Sequence, residues 1–260
     1  NDAKNSNIPK VVTNKKNELL YMSRSLIPGS KIKNTKQIFL KQVCIYAFNK
    51  EQLKKLIADL QECVGHHAPI LIDQEGGKVQ RLKPPVWRDA IAAETFGAIF
   101  EKNPNLACEL ATANARLIAE DLYHMGINVN CSPVLDLKEL GAHPIIGSRA
   151  FSSDPYAVGE LGRAVVKGLK EGGIAPIMKH IPGHGRAQVD SHYSLPTVDA
   201  EFFDLSERDF KPFYLLNECS AAMTGHLLFP EIDAINPVTL SRIVINDIIR
   251  ENIGFQGLLI

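Results

Sequence analysis

The regular alternation of short apolar segments with longer amphipathic segments constrains the fold most strongly. Segments typical of strands span residues 37–48, 68–73, 127–137, 174–180, 221–229 and 255–260. Apolar residues recur at helical spacing in segments 49–64, 105–126, 154–173, 205–219 and 239–254. Strands that alternate with helices in this way predict an α/β fold with a parallel sheet.

Polar side chains follow the predicted strands at the point where each strand ends. Asp73, Asp136, the pair Lys179 and His180, and His226 occupy these positions. In a (β/α)8 TIM-type barrel the chemistry gathers at the carboxyl ends of the strands. The sequence therefore predicts a barrel of this type, with six of its eight strands present and the C-terminal part missing from the 260 residues.

Residues 1–36 differ in character from the remainder of the chain. They hold eight lysines and arginines against two acidic residues and are rich in asparagine. We interpret them as a polar, basic and partly irregular lead-in, solvated or forming a basic patch. The barrel domain is then predicted to span residues 37–260.

Composition excludes several classes of protein. Lys and Arg together number 29, as do Asp and Glu, so no basic excess favours nucleic-acid binding. There is no apolar run long enough to span a membrane and no apolar N-terminal segment typical of a secretory signal, so we expect a cytoplasmic protein that binds no membrane. Five scattered cysteines favour neither a disulfide framework nor a thiolate zinc site; we expect them to be small buried hydrophobic residues.

The segment KHIPGHGRAQVDSH, residues 179–192, is the richest in chemically active side chains. His180 and His184 have the spacing of zinc ligands on a helix, but Pro182 and Gly183 between them disfavour a helix. A polar loop with histidines bonded to the backbone is a second interpretation.

A third interpretation of the same segment is catalytic. Asp190 and His192 are two residues apart in a stretch that is not helical, so the carboxylate can reach and orient the imidazole. A histidine paired in this way is a competent general acid and base near neutral pH.

This segment also resembles the signature of the bacterial β-N-acetylglucosaminidases of glycoside hydrolase family 3. Four further blocks resemble the family in the same order along the chain: LIDQEGGKVQRL (71–82), IIGSRAFSSDP (145–155), AAMTGHLLFPEID (221–233) and IGFQGLLI (253–260). The resemblance implies a (β/α)8-type barrel that removes terminal, non-reducing β-linked N-acetylglucosamine with retention of configuration. It also implies a carbohydrate or muropeptide substrate, anhydro-muropeptides of peptidoglycan recycling, and no metal or organic cofactor.

The resemblance implies roles for individual residues. His192 matches the acid/base and Asp190 its partner, while His184 and His226 are expected to shape loops or support the site. Residues that match the sugar-binding positions are Asp73, Arg81, Arg149, Lys179 and His180. The carboxylate nucleophile of the retaining mechanism is expected just after Ile260.

Three alternatives stay open at this point. A phosphorolytic enzyme of the same family is compatible with a histidine acid/base, because this group repels an incoming phosphate less than a carboxylate does. A chain that ended at Ile260 would be a non-catalytic sugar-binding protein. A metal-dependent hydrolase on a barrel is the third alternative, and the oligomeric state is not indicated by the sequence.

Overall fold

The computed structural model describes residues 10–13, 19–23, 40–41, 50–142, 144–189 and 195–260. The chain divides into two compact units, residues 1–49 and residues 50–260. This division falls after the boundary between 36 and 37 that the sequence predicts.

The first unit contains a small antiparallel sheet. Its strands are β1 (Lys10–Thr13), β2 (Leu19–Ser23) and β3 (Leu40–Lys41), in the order β2-β1-β3. The segments KVVT and LLYMS supply the β-branched and apolar residues that favour strands within the otherwise polar lead-in. Only β3 falls within the predicted strand 37–48, and it pairs antiparallel with β1; the other residues of that prediction lie outside the described part of the chain.

The second unit holds the helices and six further strands. The helices are α1 (Lys50–Val64), α2 (Ala93–Phe100), α3 (Pro104–Met125), α4 (Pro155–Glu171), α5 (Phe202–Asp204) and α6 (Lys211–Leu215). Two π-helical segments, Leu205–Asp209 and Val244–Asn252, and two 3₁₀ turns, Gly147–Arg149 and Val238–Leu240, complete the helical elements. The strands are β4 (Leu71–Ile72), β5 (Val129–Asn130), β6 (Ala175–Pro176), β7 (Met178–Ile181), β8 (Ala221–Thr224) and β9 (Leu258–Leu259).

All strand pairs of the second unit are parallel. The sheets have the orders β4-β5-β6 and β7-β8-β9, and a parallel bridge between Val134 and Lys179 connects the chain after β5 to β7. Parallel strands separated by helices confirm the predicted α/β class. Closure of these strands into a (β/α)8 barrel stays a prediction.

Local sequence signals explain the ends of the two longest helices. The Asn103 side chain accepts a hydrogen bond from the Leu106 amide ahead of α3, and Gly126 ends this helix with a φ of 80°. Asp154 caps α4 by accepting from the Tyr156 amide. The predicted segment 205–219 is not one helix, since Pro212 lacks an amide hydrogen and stands at the start of α6.

Small residues allow α3 and α4 to pack closely. Ala115 and Ala119 lie four residues apart on α3 and are fully buried. A Cβ atom placed on Gly172, the residue that ends α4, would lie 2.3 Å from the Ala119 Cβ, so only glycine fits there. The hydrophobic core therefore has a tight seam where these two helices pack against each other.

The sequence analysis did not identify α2. This helix is short and contains Gly97, which propensity disfavours in a helix interior. A Cβ on Gly97 would lie 1.7 Å from the Phe151 carbonyl oxygen, so tertiary packing requires the glycine. Tertiary contact thus overrides local preference in this element.

Two expectations from composition can be compared with the described residues. No helix in the described part of the chain is long enough and apolar enough to cross a membrane. Cys131 and Cys219 are buried as expected, but Cys108 is only partly buried and Cys63 is exposed; Cys44 lies outside the described residues. The expectation of burial is wrong for Cys63 because it lies on α1, where Ile57 is the only buried residue.

Candidate active site

Five charged side chains from the segment after β4, from β7 and from the 3₁₀ turn before α4 meet at one place. We call them the charged cluster: Asp73, Glu75, Arg81, Arg149 and Lys179. The Lys179 Nζ lies 2.8 Å from Asp73 Oδ1 and 2.6 Å from Glu75 Oε1. Arg149 donates from Nε and Nη2 to the two Glu75 oxygens, at 2.8 and 2.9 Å. Arg81 Nη2 lies 3.2 Å from Asp73 Oδ2.

The charged cluster extends from the protein interior to its surface. The Lys179 and Glu75 side chains are 2% and 7% exposed, whereas those of Asp73 and Arg81 are 37% and 63% exposed. A buried charge is tolerated only when it is paired and hydrogen-bonded. Glu75 therefore balances Lys179 and Arg149 in the interior, and Asp73 is the carboxylate through which a ligand can reach the cluster.

The cations hold both carboxylates in their ionised form. Burial alone would raise the pKa of Asp73, but the charge of Lys179 and hydrogen bonds from Lys179 and Arg81 lower it below its ordinary value. Burial alone would also raise the pKa of Glu75. The hydrogen bonds and charges of Arg149 and Lys179 outweigh this effect of burial, so the pKa of Glu75 is lowered.

The turn that follows β4 is held by the Gln74 side chain. Its Oε1 accepts from the amides of Arg81 and Leu82, and its Nε2 donates to the Leu82 carbonyl. Gly76 has a φ of 100° and lies so close to the Ile91 carbonyl that a Cβ would be 2.4 Å from it. The DQEGG segment thus returns the chain on itself and places Arg81 beside Asp73.

A second group of contacts surrounds Asp136 after β5. Its Oδ2 lies 2.6 Å from His180 Nδ1, and its Oδ1 accepts from the backbone amides of His180 and His184 at 3.3 and 2.7 Å. Asp136 is fully buried, which alone would raise its pKa, yet the contacts with His180 and His184 lower this pKa to about 2. The carboxylate is therefore ionised throughout the physiological range.

His184 lies behind His180 rather than in the open site. The two rings have centroids 5.6 Å apart, and His184 is 4% exposed. Its Nδ1 is buried without a hydrogen-bond partner within the described structure. Burial lowers the pKa of His184, so its ring is neutral at physiological pH.

Asp209 holds the same loop from its other side. Arg186 donates from Nε to Asp209 Oδ2 at 2.8 Å, and the Asp209 side chain is 3% exposed. Gly183 has a φ of 142° and passes close to the backbone and Cβ of Asp209. Burial raises the pKa of Asp209 to about 6, against the opposing effect of Arg186.

The structure brings together most of the predicted site residues that it describes. Four of them form the charged cluster with Glu75, and His180 follows Lys179 through a cis peptide bond. His226 is exposed after β8. Asp190 and His192 lie outside the described residues, so their roles stay predictions.

Two carboxylates of this site were assigned no role from the sequence. Glu75 is two residues beyond Asp73, and Asp136 is one of the polar residues at a strand end. The position of Asp136 after a buried strand was a usable signal for a site residue. The signal for Glu75 was weaker, because nothing in its segment indicates that Arg149, 74 positions later, is its partner.

In the described part of the chain, no three His, Cys, Asp or Glu side chains lie together in a way that could hold a metal ion.

An α/β unit with paired charges at the carboxyl ends of parallel strands is typical of the barrel class of enzymes. The model of the glycosyl hydrolase family 3 N-terminal domain matches residues 20–260. The chain belongs to glycoside hydrolase family 3.

Individual relatives support this assignment. A β-hexosaminidase of Thiobacillus denitrificans is 40% identical over 73% of the chain. NagZ from Neisseria gonorrhoeae, solved in complex with N-trifluoroacetyl-D-glucosamine, is 34% identical with a TM-score of 0.76 over 82% of the chain and 63% of NagZ. A family 3 β-N-acetylglucosaminidase from a Paenibacillus strain is 34% identical with a TM-score of 0.74 over 81% of the chain and 40% of its own length. The chain spans 53% of the length of the Thiobacillus relative.

Proposed function

We propose that this chain is the barrel part of a retaining β-N-acetylglucosaminidase that removes terminal, non-reducing β-linked N-acetylglucosamine. The observation that carries the proposal is the pairing of Lys179, on β7, with Asp73, which directly follows β4. The family assignment and the names of the relatives support the same activity. The (β/α)8 barrel is part of this proposal.

The hydrogen-bonding capacity of the charged cluster fits a sugar. An ammonium group has three donors, and Lys179 uses two of them on Asp73 and Glu75. The Asp73 carboxylate is partly exposed and keeps lone pairs beyond those used by Lys179 and Arg81. A hydroxyl can donate to Asp73 and accept from Lys179, so neighbouring hydroxyls of a sugar match both groups.

The remaining roles follow from the family resemblance. Asp73, Arg81, Arg149, Lys179 and His180 would bind the non-reducing sugar. His192, oriented by Asp190, would donate a proton to the leaving group and then activate water. The nucleophilic carboxylate would follow Ile260, outside the 260-residue sequence.

The natural substrate that we propose is an anhydro-muropeptide, within cytoplasmic recycling of peptidoglycan. The β-hexosaminidase names of the relatives and the N-acetylglucosamine derivative bound to NagZ support a hexosaminide. Comparison of kcat/KM for a β-N-acetylglucosaminyl anhydro-muropeptide with that for chitobiose would test the finer assignment. A preference for chitobiose would contradict it.

The activity itself can be tested with the full-length gene product and p-nitrophenyl β-N-acetylglucosaminide. We expect release of p-nitrophenol, with no such release from the corresponding β-glucoside. His192→Ala should lower the rate about 10²- to 10⁴-fold, with a smaller effect on bond cleavage for a good leaving group. His124→Ala, an exposed histidine on α3, is the matched control.

Two results would overturn this proposal. Wild-type protein that binds N-acetylglucosamine without turnover would be a sugar-binding protein. Formation of N-acetylglucosamine 1-phosphate in phosphate buffer, with little free sugar, would indicate a phosphorylase.

A further inference from the structure

Asp136 contacts His180 at both the side chain and the backbone. The His180 Nδ1 lies 2.6 Å from Asp136 Oδ2, and the His180 amide nitrogen lies 3.3 Å from Oδ1. We propose that Asp136 is a positioning residue that keeps the proton of neutral His180 on Nδ1, and thereby makes His180 Nε2 a hydrogen-bond acceptor for a sugar hydroxyl. The substrate part of this inference rests on the proposed function.

The position of the proton follows from the chemistry of the two groups. An ionised carboxylate only accepts hydrogen bonds. Asp136 is ionised at neutral pH, since its burial is outweighed and the hydrogen bonds from the His180 ring and the His184 amide help to keep its pKa below its ordinary value. A contact of 2.6 Å between His180 Nδ1 and this carboxylate requires a hydrogen on Nδ1. Neutral imidazole carries one such hydrogen, which leaves Nε2 with a lone pair.

Burial indicates which edge of the His180 ring faces the ligand. Asp136 is 0% exposed, whereas the His180 side chain is 18% exposed. Because Nδ1 points to a wholly buried carboxylate, we assign the exposed fraction of the ring to the edge that carries Nε2. The preceding residue, Lys179, has one ammonium hydrogen beyond the two used by Asp73 and Glu75. An acceptor and a donor therefore stand on consecutive residues.

The other oxygen of Asp136 holds the segment that carries His180. Its Oδ1 accepts from the His184 amide at 2.7 Å, so the carboxylate ties both ends of the segment 180–184. An asparagine at this position could keep that bond through its side-chain oxygen. Its amide group would then face His180 Nδ1 as a donor, which favours a neutral ring with the proton on Nε2.

The tautomer can be measured without reference to catalysis. We would label the histidines of the full-length gene product with ¹⁵N and record two-bond ¹H–¹⁵N correlations at a pH where His180 is neutral. The spectrum of His180→Gln would assign the resonances. We expect a protonated Nδ1 and an unprotonated Nε2 in the wild type, and the reverse in Asp136→Asn. Asp209→Asn is the matched control, because this buried aspartate contacts Arg186 rather than His180.

A wild-type His180 with its proton on Nε2 would overturn the inference, and this result does not require Asp136→Asn to fold. An unchanged tautomer in a folded Asp136→Asn would overturn it as well.

Kinetic measurements test whether His180 binds a sugar hydroxyl. Removing a group that orients a metal-binding histidine costs about 10- to 100-fold, and we expect a loss of similar size in kcat/KM for Asp136→Asn, mainly through KM. An unchanged KM in a variant whose tautomer has reversed would overturn the part assigned to the sugar hydroxyl. Absence of activity in the wild type would instead count against the proposed function and would leave the tautomer result standing.

Discussion

Two buried aspartates hold the loop that begins at Lys179, and they do so with opposite electrostatics. Asp136 accepts from two backbone amides and one imidazole, and its pKa is about 2. Asp209 pairs with a single side chain of the loop, Arg186, and its pKa is about 6. Both carboxylates are nearly inaccessible to solvent.

The difference shows that burial alone does not decide the charge of an anchoring carboxylate. Desolvation raises the pKa in both cases, and the neighbouring charges together with the hydrogen-bond donors decide whether this is overcome. Asp136 has donors with little freedom to leave, because two of them are backbone amides. Arg186 is 24% exposed and shares its charge with water, so it compensates Asp209 less.

Removal of the two carboxylates, one at a time, should give the largest difference in the free energy of unfolding. Asp136→Ala leaves two amides and a ring N–H without a partner, and we expect a loss of about 3–5 kcal/mol in the free energy of unfolding. Asp209→Ala should cost about 1–3 kcal/mol, because the freed Arg186 can turn to solvent. Urea unfolding at pH 7 measures both values, and equal losses would contradict the comparison.

The two aspartates should also differ in how their contributions to the free energy of unfolding change with pH. This difference is expected to be smaller than the effect of removing the carboxylates. A lowered pKa stabilises the fold above the ordinary pKa of 3.8, so the contribution of Asp136 is constant from pH 4 to 8 and is lost as the pH falls toward 2. A raised pKa instead stabilises the fold below the ordinary pKa, where the carboxyl is protonated. The contribution of Asp209 is fully present below 3.8 and is lost as the pH rises through 6.

The free energy of unfolding of the wild type, relative to Asp209→Asn, should therefore fall by roughly 2–3 kcal/mol between pH 4 and pH 8. The Asp136 carboxyl itself should add no change over the same range, because its lowered pKa lies below that range. Denaturant titrations at several pH values give both curves. A level curve for Asp209→Asn would show that Asp209 is ionised well below pH 6.

Gly183 offers a third and weaker test. Its φ of 142° disfavours any residue with a Cβ, and that atom would lie 3.1 Å from the Asp209 Cβ. Gly183→Ala should cost about 1–3 kcal/mol in the free energy of unfolding. Gly141→Ala, which also has a positive φ but open space around it, is the control for the backbone effect alone. An equal cost at both positions would show that contact with Asp209 adds nothing.

The smallest change in the free energy of unfolding is expected for a substitution of Arg208, the surface residue that precedes Asp209. Arg208 pairs with Glu139 at the surface, where the Arg208 side chain is 44% exposed and solvent screens the interaction. Arg208→Gln should change the free energy of unfolding by about 0–1 kcal/mol. A larger loss in urea unfolding would mean that Arg208 takes part in holding Asp209.

The sequence predicted the helical framework better than the contacts of the site. Asp154 with Pro155 and the terminal Gly126 are local signals, and the ends of α3 and α4 follow them. The helix α2 was missed because it is short and contains Gly97, and no local pattern reveals the close approach of the Phe151 carbonyl that requires this glycine.

The same distinction applies to the site residues. Asp73, Arg81, Arg149 and Lys179 were identified by resemblance and come together in the structure. The parts played by Glu75 and Asp136 depend on partners at least 44 positions away along the chain. A sequence alone does not pair such residues, because spacing reports only on neighbours within one helix or strand.

The charged cluster has a consequence for the design of inhibitors. Its three cations and two carboxylates leave one net positive charge at the end of the site where we place the non-reducing sugar. A protonated iminosugar would gain little attraction from this cluster, because its exposed carboxylate, Asp73, is already paired with Lys179 and Arg81. Neutral, hydroxyl-rich lactams or oximes suit these residues better, since each hydroxyl can both give and receive a hydrogen bond there.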